Sequence, residues 1–181
     1  MRVEILNQVF LEKILKQFGA ILHLRVIDWT LRTHVEPLLL LPPQTPQLRE
    51  WDFGRLEGTK IRLMQDIYPQ QYTALKNNLA QFKSNMFDAE SVYQATQRII
   101  QFVKGLKDSQ AETVLIVSHG AILTASIQTL LGFGPAQLRH RGGLDNGSVT
   151  ILETQNFEDF TEISWNDTNY KLPEVASVVA S

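Results

Sequence analysis

Apolar and polar positions along the chain follow two periods in turn. Between Val9 and Phe18, residues Phe10, Ile14, Leu15 and Phe18 recur at helical spacing and predict an amphipathic helix that Gly19 ends. "AILHL" follows as a short apolar strand. Leu31 to Leu41 predicts a second helix, stopped by "PPQTP", because Pro42, Pro43 and Pro46 lack the backbone donors a helix needs. Leu48 to Lys60, "LREWDFGRLEGTK", mixes polarity around two glycines and reads as a structured loop. A polar helical region covers about Lys60 to Gln81. Glu90 to Leu106 is amphipathic, with Val92, Thr96, Ile99, Val103 and Leu106 on one face.

The second half changes period. Thr113 to Val117 is a continuous apolar run, the pattern of a central strand covered on both faces. Ala121 to Leu131 is the helix after it, closed by Gly132. "SVTILE" and "FTEISW" are further strands, joined by an Asn-Phe-Glu-Asp turn. Strands alternating with helices predict an α/β layered sandwich with a mainly parallel sheet flanked by helices. No repeat or linker divides residues 1–172, which read as one domain, and residues 173–181 read as a frayed tail.

Composition narrows the setting. The chain has 181 residues, 44% hydrophobic and 20% charged, the profile of a soluble globular protein. A net charge of -2 gives no electrostatic case for nucleic acid or an anionic membrane as partner. There are no cysteines, so thiolate chemistry and disulfides are excluded. No apolar run approaches the roughly 20 residues that span a bilayer, and the N-terminus lacks a signal-peptide core. A cytoplasmic location is the expectation.

Candidate chemistry gathers at two places. His119 follows a buried strand and precedes a helix, at the sheet edge where open α/β folds bind ligands. The free N–H groups of that helix favour an anion there, Ser118 offers a further donor, and Gly120 allows close backbone approach. The alternative is a histidine that only caps the helix. Glu50 stands among Arg49, Trp51, Asp52 and Phe53. Desolvation by the aromatics would suit it to general acid work, and a surface ion pair with Arg49 or Arg55 is the alternative. Arg98 reads as solvated. Arg139, His140 and Arg141 form a basic cluster that could attract an acidic substrate or simply face water. Trp29, Trp51 and Trp165 read as core or loop anchors.

"VLIVSHG", "LREWDFGRLEG" and "AESVYQATQR" together resemble the histidine phosphatase superfamily, which includes the phosphoglycerate mutases and broad phosphatases. The likeness runs from about Pro46 to Leu172 and includes "LDNGSVTILE" as the closing strand region. It implies a phosphoglycerate mutase-like fold, hydrolysis of small phosphomonoesters and no cofactor or metal. His119 matches the second active-site histidine. Leu48, Glu50, Gly54, Glu57 and Gly58 fill the loop that carries the proton donor, which makes Glu50 that donor. Glu90, Ser91 and Arg98 match a Glu-Ser pair followed by a helical arginine. The short chain lacks room for the long insertions of the glycolytic mutases, which favours a phosphatase.

The departure lies at the N-terminus. The family's nucleophile is the histidine of an Arg-His-Gly turn after the first strand, and no Arg-His-Gly occurs in this chain. "MRVEIL" is strand-like but is followed by Asn7 and Gln8. The histidines are His23, His34, His119 and His140. His23, Arg25 and Arg32 lie around the place of the second phosphate-binding arginine, so they join Ser118 and Gly120 as phosphate-binding candidates. The expectation is a first strand that is missing or altered, as a gene deletion or frame disruption would produce. The expected ligand is a small phosphorylated substrate or phosphate anion. Apolar surface left by an unpacked first strand would favour a homodimer. Against the enzyme stands an inactive family member that binds phosphate or another anion.

Overall fold

The computed structural model describes residues 2–7, 45–109 and 113–169. The helix expected over Val9–Phe18, the "AILHL" strand, the helix over Leu31–Leu41 and the tail lie outside the described residues, as do His23, Arg25, Trp29, Arg32 and His34. The described sheet has four strands in the order β2-β1-β3-β4: β1 is Arg2–Asn7, β2 Thr113–Ser118, β3 Val149–Glu153 and β4 Thr161–Asp167. β1 pairs parallel with β2, and Asn7 stands opposite Ser118. β1 with β3, and β3 with β4, are antiparallel.

Two expectations are corrected here. The described sheet is mixed rather than mainly parallel, because β3 and β4 are joined through residues 154–160 alone and so short a link turns the chain back on itself. β2 stands at the end of the described sheet. The first strand is not missing. β1 is interior, with its backbone paired on both sides, and what is altered is the sequence that follows it.

Helices α1 (Ile61–Ile67) and α2 (Pro69–Asn77) fill the polar region, and α3 (Val92–Gly105) and α4 (Gly120–Leu130) carry the core. α3 starts where the sequence can close a capping box: Ser91 Oγ accepts from the Gln94 N–H at 3.2 Å, and Gln94 Oε1 accepts from the Ser91 N–H at 2.9 Å. Its expected apolar face is buried at Thr96, Ile99 and Val103. α4 is buried without interruption from Ile122 to Gln128, the condition of a helix enclosed on all sides. It ends at Gly132, where φ is +87°, with Phe133 N–H donating to the Gln128 carbonyl and Gly132 N–H to that of Thr129. That double closure needs a left-handed residue, which is why glycine stands there. Trp51, Leu79, Ile99, Ile116, Ile122 and Leu152 belong to one buried cluster, so the 48–60 loop is part of the core rather than an addition to it. Among the described residues no helix is long and apolar enough to cross a membrane.

Candidate active site

The loop that carries Glu50 is held from three directions. A short 3-10 turn at Pro46–Leu48 opens it, with Thr45 accepting from the Gln47 N–H. Ser118 Oγ, at the end of β2, donates to the Leu48 carbonyl at 2.6 Å. Trp51 is buried, stacks on Phe53 with ring centroids 5.4 Å apart, and donates its indole N–H to the Glu90 carbonyl at 2.9 Å. A second short turn, Gly54–Leu56, brings the loop against residues 86–90. Gly54 has φ +54°, and a Cβ there would fall 2.2 Å from the Phe87 carbonyl oxygen, so no other residue fits.

Arg98 is the third hold, and the structure corrects its reading as a solvated side chain. Nε and one terminal nitrogen each donate to a Glu90 oxygen at 2.8 Å. The guanidinium also donates to the carbonyls of Gln47 at 2.8 Å, Arg49 at 3.3 Å and Glu50 at 3.3 Å. Arg49 adds a bond to Glu90 at 2.8 Å, and the carboxylate accepts from the Asp52 N–H as well. Burial alone would raise the Glu90 carboxyl, but the bonds and charge of Arg98, with help from Asp52 and Arg49, bring it below its ordinary value. The Arg98–Glu90 pair thus fixes the backbone from Gln47 through Asp52.

Removing Arg98 leaves Glu90 enclosed without its main partner and frees three carbonyls. Arg98→Ala is expected to cost about 3 kcal/mol, read as a clear fall in melting temperature. Because the native Glu90 value is depressed, the stabilisation is present at neutral pH and is lost as pH falls through that value. The wild type should therefore lose more stability on acidification than the variant does. Equal melting temperatures at neutral pH would show that the clamp is not needed.

Glu50 itself makes neither of the ion pairs considered for it. Arg49 is taken by Glu90, and Arg55 pairs with Asp88 at 3.0 Å. Trp51 turns into the core, and Glu50 Oε1 instead accepts from the Trp51 N–H at 2.8 Å and the Ile122 N–H at 3.0 Å. Ile122 is the third residue of α4, so the carboxylate sits at that helix's positive end. His119 holds the N-cap position but makes no side-chain capping bond, so its ring is not used up by the helix. Ser118 differs from its expected use. It is 1% exposed and its single proton is committed to Leu48, so it ties the loop down rather than facing a ligand. Gly120 and Ala121 line a cleft of about 930 Å³ whose walls include Phe53, Leu56, Met64 and Leu144. Among the described residues no group of three or more His, Cys, Asp or Glu could hold a metal ion.

Residues 30–168 match the family model described as histidine phosphatase superfamily, branch 1. The chain belongs to this superfamily. A Hydrogenobacter thermophilus protein described as "Putative phosphoserine phosphatase 2" is 28% identical over 109 residues, 60% of this chain and 52% of that protein. The chain thus spans about half the length of that curated relative. Among solved structures, Bacillus stearothermophilus YhfR superposes with a TM-score of 0.64 at 23% identity, covering 72% of this chain and 64% of that one. The native mycobacterial glucosyl-3-phosphoglycerate phosphatase gives 0.67 at 18% identity, over 91% of this chain and 98% of that one. These likenesses bear on the fold. β1 ends in Asn7, level with Ser118.

Proposed function

We propose that this member of the superfamily hydrolyses small phosphomonoesters at the N-terminus of α4, with His119 stabilising the phosphoryl oxygens and Glu50 acting as proton donor. The observation that carries this reading is the 3.0 Å bond between Glu50 and the Ile122 N–H. It sets the carboxyl three residues beyond His119, on the same helix end. The phosphatase names of the Hydrogenobacter and mycobacterial proteins support the same direction. In a phosphohistidine route a histidine nitrogen bonds to phosphorus as the ester P–O bond breaks, and the departing oxygen takes the proton of Glu50. Water then attacks phosphorus, Glu50 recovers a proton from it, and the imidazole and phosphate are released. The attacking ring would be His23 or, failing that, His34.

One observation favours a second reading. β1 finishes in Asn7 opposite Ser118, so the strand that should deliver the nucleophile is present without it. A site that binds phosphate and turns nothing over would have this form. Rapid quenching with a labelled phosphomonoester separates the two. The covalent route predicts an acid-labile, base-stable label on one histidine, absent from either His23→Ala or His34→Ala. Phosphate binding with no label and no turnover would establish the second reading.

A further inference from the structure

The basic cluster at residues 139–141 is divided by the fold. Arg141 donates to both oxygens of Glu162, one of them at 2.9 Å, and lies over the Trp165 ring, 4.3 Å from its centroid. His140 is exposed, with its ring against Phe133 and one ring nitrogen on the Gln137 carbonyl. Arg139 turns the other way. It lines the cleft beside Gly120 and Ala121, and its buried Nε meets no acceptor. Burial holds its guanidinium below the ordinary value, against the nearby negative charge of Glu50. An arginine stays charged and presents a planar fork that matches a carboxylate. A buried polar group without a partner needs an explanation, and at the wall of a cleft a ligand can supply one.

We infer that Arg139 is a specificity-determining residue that receives a carboxylate, or another anionic group, on the alcohol portion of a phosphomonoester. This rests on the hydrolytic reading above. There the leaving oxygen meets Glu50, whose carboxylate is held on Ile122, so the alcohol portion runs from that point into the adjoining space. The cleft bordered by Gly120 and Ala121, the two residues between His119 and Ile122, is the neighbouring space that would take it, and its volume suits an organic body. Its walls at Phe53, Leu56, Met64 and Leu144 are apolar and carry no charge preference. Glu57 and Lys76 also line it, but both are exposed and solvated. Among the described residues that line the cleft, Arg139 is the cation whose charge is screened least by water.

The test compares phenyl phosphate with its 3- and 4-carboxyphenyl analogues on the full chain, as wild type, Arg139→Met and Arg139→Lys. Methionine keeps the apolar stem and removes the fork. The expected result is a fall of about tenfold or more in the ratio of kcat/KM for a carboxylated ester over phenyl phosphate. Lysine should restore part of it. A ratio unchanged in Arg139→Met, or an equal loss on all the esters, would overturn the assignment while leaving hydrolysis at His119 standing. If the wild type turns over none of them, the hydrolytic reading fails, and calorimetric binding of the same esters decides Arg139 alone. Selective weakening of the carboxylated ester in Arg139→Met upholds it, and equal weakening or none overturns it.

Discussion

Glu50→Gln is expected to lower kcat/KM for an alkyl phosphate about 10²–10⁴-fold while costing a p-nitrophenyl ester far less. The asymmetry follows from what the proton does. An alkoxide leaves phosphorus poorly unless it is protonated as the bond breaks, whereas nitrophenolate departs unaided. Glutamine has the same shape, and its carbonyl oxygen can still accept from the Trp51 and Ile122 N–H groups that now hold Glu50. The fold should therefore survive, with a melting temperature close to wild type. Equal losses on both esters would remove Glu50 from the role of acid and leave it as a tie between the loop and α4.

His119→Ala is expected to cost about 10²–10³-fold in kcat/KM and to weaken vanadate binding by a similar factor. The N–H groups of Gly120 and Ala121 open α4 and have no intrahelical acceptor, while that of Ile122 is occupied by Glu50. An anion at this helix end would meet two amides and the imidazole, and the ring is the member that can carry a full positive charge. Vanadate mimics the five-coordinate phosphorus, so its binding reports on the transition state rather than on the ester. A variant that binds vanadate as the wild type does, but melts lower, would reduce His119 to a structural residue.

The parts of this site written in short stretches of chain were legible in the sequence. The glycines and carboxylates of the 48–58 loop and the Ser-His-Gly turn after a buried strand each express local backbone demands. Helical periodicity reports only which face is apolar, so it reads Arg98 as solvated; the carbonyls of Gln47, Arg49 and Glu50 that it holds beside Glu90 are distant in sequence. The split between Arg139 and Arg141 depends in the same way on Glu162 and Trp165, which β4 brings alongside. Sheet direction was recoverable: a link as short as residues 154–160 cannot return a parallel strand. The missing imidazole after β1 says nothing against the strand itself, because backbone pairing with β2 and β3 asks nothing of the residue that follows.

Hydrolysis of p-nitrophenyl phosphate from mildly acidic to neutral pH, by the wild type beside His119→Ala, tests the central claim most directly. The account predicts turnover in the wild type that falls to background in the variant. Identical rates in both, at background or above it, would contradict it and show that the α4 terminus does no phosphoryl chemistry.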